Sequence, residues 1–197
     1  EVLSLWQGLG YNRRARALWE MAKIVVKEHG GKLPQQKERL IELPGIGPYT
    51  ASAILAFAFN TPSVCIETNI RSVYTHFYFN NGKKVRDSEL LPLIEETMDV
   101  KNPREWYYAL MDYGAMLKKT TPNLNARSHH YKKQSKFKGS EREIRGAVLK
   151  LLVRDGKTSA EKVAQELKTS VFRVRTQTEA LVKEGFIKRK GSSLLPV

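Results

Sequence analysis

Apolar residues recur with a helical period along almost the whole chain, and no alternating strand pattern appears before about residue 185. Residues 1–7 read as the end of a helix stopped by Gly8, Leu9 and Gly10. Residues 12–29 predict a long amphipathic helix closed by Gly30 and Gly31, and a short helix follows at 36–42. The segment 48–59 is apolar almost all round, with Ile54, Leu55, Phe57 and Phe59, and is expected to be the buried central helix. Helices near 68–79, 88–98 and 103–118 complete this stretch. Residues 119–140 are polar and basic, and read as a linker or as an arm wrapped on the surface.

A second pattern follows. Ile144, Val148, Leu151 and Leu152 fall at i, i+4, i+7 and i+8, one face of a helix. Thr158 and Ser159 cap a second helix carrying Val163 and Leu167. Lys168, Thr169 and Ser170 begin a third, with Val171, Val174, Thr178, Leu181 and Val182 on one side. Residues 186–195, turning at Gly191, Ser192 and Ser193, read as a two-stranded wing. The expectation is a mainly α chain: a helical domain at 1–118, a basic linker or arm at 119–140, and a small winged helix-turn-helix domain at 141–197. On its third helix Arg173, Arg175 and Gln177 lie off the apolar stripe, placed either to touch DNA or to be solvated. Many domains of this build bind proteins instead.

Charge sharpens this division. The formal net charge is +14, a balance that favours polyanionic partners. Residues 1–117 are nearly neutral, with fourteen Lys and Arg against thirteen Asp and Glu. Residues 118–140 carry seven cations, among them Lys118, Lys119, Lys132 and Lys133, and no acid. Non-specific phosphate contacts should concentrate there and beyond. The single cysteine, Cys65, rules out an intrachain disulfide and reads as a small buried hydrophobe. No apolar run reaches the ~18 residues of a membrane span, and no membrane partner is expected. No targeting segment is seen, so a cytoplasmic, nucleoid-associated location is expected. The chain opens at Glu1 in mid-pattern, as expected of a piece of a longer sequence.

Residues 43–71 carry the candidate chemistry. Gly45 and Gly47 flank one apolar residue, Ile46, between Pro44 and Pro48. Glycines there let backbone N–H groups approach an anion. Pro48 suits the first position of a helix, whose N-terminus adds a positive dipole end. Glu67 follows the apolar run as the only acid between Glu42 and Asp87. A phosphate-gripping hairpin and a nearby carboxylate, in a basic chain, point to chemistry on a nucleic acid.

Several stretches together resemble the helix-hairpin-helix base-excision DNA glycosylases, in particular the A/G-specific adenine DNA glycosylases. They are L-W-Q-G-L-G-Y-N-R-R-A-R at 5–16, H-G-G-K-L-P at 29–34, L-P-G-I-G-P-Y-T-A-S-A-I at 43–54, E-T-N-I-R-S-V at 67–73 and A-L-M-D-Y-G-A-M at 109–116. The resemblance covers roughly residues 1–118. It implies that the hairpin, Pro44, Gly45, Ile46 and Gly47, holds a backbone phosphate, in many relatives with a bound monovalent cation. It places the family's catalytic aspartate at Glu67, where the carboxylate would stabilise an oxocarbenium-like sugar or trap it covalently. Asn69 takes a supporting role. Tyr49 stands where bifunctional relatives have a nucleophilic lysine, so a Schiff base and strand cleavage are not expected.

The chain departs from the family at three places. Glu replaces Asp at 67, which shifts the carboxylate by more than ~1 Å. The four cysteines of the family's iron–sulfur cluster, the first near Lys118, are missing, so no cluster is expected and the basic arm is expected to take over DNA contacts. The family's general-acid glutamate and base-pocket helix are expected to precede residue 1. The implied function is a monofunctional glycosylase, monomeric, acting on double-stranded DNA with a mismatched or damaged base, most directly a flipped adenine. Two other readings stay open: a non-catalytic DNA-binding protein in which Glu67 caps a helix, and a thymine glycosylase for G·T mismatches, which Tyr49 permits. Of the remaining residues, His129 and His130 are expected at the surface. Trp6, Tyr11 and Trp106 are expected in packing, and Asp112 in a cap or internal pair. Arg13, Arg14 and Arg16 brace helices or touch phosphate.

Overall fold

Ten α-helices and three short strands emerge from these periodicities in a computed structural model, which describes residues 1–79 and 82–197. Contacts divide the chain into two units: residues 17–133, and residues 1–16 together with 134–197.

The first of these units is helical. After α1 (Val2–Leu5), helix α2 (Arg13–Glu28) runs into it, followed by α3 (Lys37–Ile41), α4 (Pro48–Phe59), α5 (Thr68–Tyr78), α6 (Asp87–Thr97) and α7 (Pro103–Thr120). Two apolar clusters form its core. Val25, Leu40, Leu43, Ala51 and Leu55 lie beneath the hairpin. Ala56, Cys65, Ile70, Tyr74, Val85, Leu90, Ile94 and Tyr107 hold α4, α5, α6 and α7 together. Cys65 is buried, as its apolar neighbours require.

Helix α4 corrects one expectation. It buries Ala51, Ser52, Leu55 and Ala56, whereas Ile54, Phe57 and Phe59 are only half-buried and Tyr49 is exposed. An apolar sequence permits burial on every side; it needs a neighbour on every side to achieve it.

Residues 119–131 are also not a free linker. Lys118 and Lys119 end α7, and a 3₁₀ turn at Leu124–Arg127 leads into a parallel bridge between Val85 and Ser128. Asn125 is buried and donates from Nδ2 to Ser72 Oγ at 2.9 Å. The Arg127 guanidinium donates to the carbonyls of Lys83 and Phe79. A basic residue thus serves as an internal clamp.

In the other unit, α8 (Glu141–Asp155), α9 (Ala160–Leu167) and α10 (Val171–Lys183) enclose Val148, Leu151, Val163, Val174, Leu181 and Ile187. Ser140, Ser159 and Ser170 cap the three helices, accepting from the backbone three residues on. The expected two-stranded hairpin is β2 (Ile187–Lys190) against β3 (Ser193–Pro196), but a third strand, β1 (Thr158–Ser159), pairs with the other edge of β3. The order is β1-β3-β2. Two residues are too few to show alternation, so β1 has no pattern to read. Leu3 packs against this core and Arg13 pairs with Glu184 at 2.7 Å, which is why the first sixteen residues group with 134–197.

Candidate functional site

The turn between α3 and α4 is built on Gly45. Its φ is +78°, and a Cβ there would stand 2.6 Å from Ala17 Cβ on α2. Ile46 N donates to Leu43 O at 3.1 Å and turns its side chain to the core, leaving its backbone outward. Gly47 caps α4 without a side-chain acceptor, and Pro48 opens the helix. The first N–H groups of α4 therefore have neither an intrahelical nor a side-chain partner, the condition for gripping an anion.

Tyr49, in the first turn, is 46% exposed. Partial burial pushes its phenol above the usual range, and the neighbouring Cys65 and Glu67 charges add to the push.

Glu67 reaches its place along an extended segment after α4. Tyr107, fully buried on α7, ties that segment down: its hydroxyl donates to Ser63 O and accepts from Cys65 N, both at 3.0 Å. Burial holds that phenol protonated, far above its ordinary value. Glu67 then caps α5. Its Oε1 accepts from Asn69 N at 2.6 Å and Ile70 N at 2.9 Å, and its Oε2 from the Thr68 hydroxyl at 2.9 Å. The longer side chain curls over the positive end of α5, and Oε2 keeps a lone pair for another partner.

Asn69 lies behind the carboxylate. Its Oδ1 is buried with no hydrogen-bond partner. Its Cβ stands where a Cβ on Gly114 would come within 2.7 Å, so α5 and α7 cross at closest approach there. Arg71, one turn on, makes a two-pronged ion pair with Asp87, 2.8 Å at each contact, which holds that carboxyl below its usual range. Gly114, Tyr107 and Arg71 were not singled out from sequence. Gly114 alone carried a legible signal, a glycine inside an amphipathic helix.

The hairpin, Tyr49, Glu67 and Asn69 thus belong to one unit. Of the expected DNA-binding cations, Lys118, Lys119, Lys132 and Lys133 fall in this unit and Arg173 and Arg175 in the other. Lys118 and Lys119 are exposed on the last turn of α7, and Lys132 and Lys133 are exposed beyond the 3₁₀ turn. In the other unit Arg173 pairs with Glu141 at 2.5 Å and Arg175 with Glu161 at 2.9 Å.

The minor candidates separate as well. Trp106 packs in the core against Tyr107. Tyr11 is 66% exposed and does not pack inward; the Arg14 guanidinium lies over its ring and that of Trp6. Asp112 is exposed and neither caps nor pairs. His129 and His130 are exposed, and among the described residues no three His, Cys, Asp or Glu side chains group as metal ligands. With one thiol, buried among apolar side chains, the chain does not supply a four-thiolate cluster.

Residues 28–57 match the helix-hairpin-helix motif. About 60% of the chain resembles the helix-hairpin-helix base-excision DNA glycosylases, and the relatives that show it are adenine DNA glycosylases. It is 37% identical over 126 residues to the adenine DNA glycosylase of Buchnera aphidicola subsp. Baizongia pistaciae, covering 63% of this chain and 36% of that protein. It is 35% identical over 119 residues to the adenine DNA glycosylase of Homo sapiens, covering 58% and 22%. The chain spans about a third of the length of the Buchnera relatives. Among solved structures it is similar to a trapped endonuclease III–DNA covalent intermediate, with a TM-score of 0.46, 20% identity, and 55% of this chain and 50% of that chain covered.

Proposed function

We propose that this chain is part of a monofunctional base-excision DNA glycosylase that hydrolyses the N-glycosidic bond of a mispaired adenine. The observation that carries this reading is Glu67, a lone carboxylate held at the head of α5, in the same unit as Tyr49 and the uncapped hairpin. The similarity to proteins named adenine DNA glycosylase supports it.

In this reading the backbone of residues 44–48 grips a DNA phosphate, with a monovalent cation at the turn. The target nucleotide leaves the stack, since no side chain reaches its sugar otherwise. The free lone pair of Glu67 Oε2 faces the anomeric carbon as positive charge develops there. Tyr49 offers no amine, so no Schiff base forms and the strand stays intact. Protonation of the leaving base requires an acid. Double-stranded DNA with a mismatched or damaged base is the partner, the protein works as a monomer, and its location is the cytoplasm, on the nucleoid.

Glu67→Gln tests this. Glutamine keeps an oxygen for the cap but removes the charge. Base release from an A·G or A·8-oxoguanine duplex, measured in single turnover with the protein at its natural length, should fall at least about 10²-fold. Binding to the same duplex should stay within a few fold. An unchanged release rate removes Glu67 from the mechanism.

One observation favours a second reading, a non-catalytic DNA-binding protein. Both Glu67 oxygens are engaged in capping α5, which is sufficient reason for an acid at that position. That reading gains if the unaltered protein binds mismatched duplex and releases no base.

A further inference from the structure

We propose that the β2–β3 hairpin of the second unit is its DNA-docking surface, with Lys188, Arg189 and Lys190 taking the backbone phosphates in place of Arg173 and Arg175.

The argument begins with what α10 has already committed. The Arg173 guanidinium donates to Glu141 Oε1 and to the Gly139 carbonyl, and that of Arg175 donates to Glu161 Oε1. A phosphate arriving at either arginine competes with a carboxylate already paired there, which reduces the attraction. Strand β2 is different. After the buried Ile187, its next three residues are exposed cations. Lys188 and Lys190 make no ion pair or hydrogen bond through their side chains, and Arg189 uses only Nε, donating to Gly191 O at 3.0 Å. Residues 185–197 contain no Asp or Glu. The nearest carboxylate in sequence, Glu184, is held by both Arg13 and Arg145 at 2.7 and 2.6 Å. Glu161, which lines a groove with Arg189, is paired with Arg175 at 2.9 Å, so both of these acids are already engaged.

Placement agrees with charge. β2 is an edge strand of the sheet, with one side unpaired. Arg189 shares a strand face with Ile187, whereas Lys188 and Lys190 lie on the opposite face. Arg189 and Ser192 line a shallow groove with Arg175 and Glu161, which joins the ribbon to the exposed side of α10. A two-stranded ribbon with cations on both faces suits a DNA groove, whose two walls both carry phosphate. Edge protection alone would need only one lysine.

This inference rests on the proposed function only in taking DNA as the polyanion. The test uses the whole chain and an undamaged duplex, with binding followed by fluorescence anisotropy across a series of KCl concentrations. The triple variant Lys188→Gln, Arg189→Gln, Lys190→Gln should reduce the log–log salt slope by about 3, at ~0.9 per phosphate released. The double variant Arg173→Gln, Arg175→Gln should leave the slope within about 0.5 of the parent. Circular dichroism melting confirms that both variants fold, and the single variant Lys190→Gln, at the tip of the strand, should reduce the slope by about 1 in any case. An unchanged slope in the folded triple variant overturns the proposal, as does a drop confined to the double variant. Base release is measured alongside on an A·8-oxoguanine duplex, with parent and triple variant both at the protein's natural length. If the parent releases no base while the triple variant still loses slope, the glycosylase reading fails and the docking surface stands.

Discussion

Gly114 and Gly146 are both helical glycines, yet their surroundings give a substitution opposite signs. At Gly114 an added Cβ would lie 2.7 Å from both Asn69 Cβ and the Asn69 carbonyl carbon, with backbone that cannot yield cheaply. Gly114→Ala should therefore destabilise the chain by about 1–3 kcal/mol through overpacking, read as a lower urea midpoint. It should also disturb Glu67, whose cap on α5 begins two residues before Asn69. At Gly146, inside α8, nothing lies within 4 Å of the added carbon. Gly146→Ala should stabilise by about 0.5–1 kcal/mol, the backbone entropy that glycine forfeits in a helix. If both variants move the midpoint in the same direction, the close approach of α5 and α7 is not as described.

The placing of α5 depends on neighbours far away in sequence. Tyr107 and Gly114 on α7 set its approach and its depth, and the segment after α7 sets its flank. Asn125 donates to Ser72 Oγ, which donates in turn to the Thr68 carbonyl at 2.8 Å, next to the catalytic candidate. Asn125→Ala would leave a buried hydroxyl short of a partner. The cost should be about 1–3 kcal/mol, and it should be local. Hydrogen exchange at Val85 N and His129 N, which bond Arg127 O and Val85 O at 2.9 and 3.0 Å, should accelerate before the core amides of α5 do. Uniform acceleration across the unit would mean that the 3₁₀ turn is not a separable element.

Across the chain, pH reaches stability through a small number of committed carboxylates. Glu184, between Arg13 and Arg145, has its pKa lowered from the ordinary 4.5 to about 2, chiefly by the hydrogen bond from Arg13. A carboxyl depressed by folding contributes stability that is fully present above about 4.5. That contribution is lost as pH falls toward 2, where the folded form also takes up its proton. Glu184→Gln should therefore lower the thermal midpoint at pH 7, and the difference from the parent should shrink steadily between pH 4.5 and 2. Melting curves followed by circular dichroism at several pH values check this. A difference that persists at pH 2 would assign the loss to packing instead of charge.

The helices, their serine caps and the hairpin turn were legible from sequence alone, because each is set by neighbours within a few positions. Periodicity marks a buried face, Ser159 and Ser170 mark helix starts, and Gly45 ahead of Pro48 marks a turn with a left-handed residue that glycine adopts cheaply. The resemblance to the helix-hairpin-helix glycosylases brought Tyr49, Glu67 and Asn69 forward as a group. What remained hidden was long-range. The side chains that cover α4, the tethering of the 119–131 segment by Asn125 and Arg127, and the strand at Thr158 and Ser159 all depend on partners that no local window contains. The same holds for which cations are free. Arg173 and Lys190 look alike along the chain, but the fold sets Glu141 against the first and no acid against the second, and a Coulomb interaction depends on distance through space, not along the sequence.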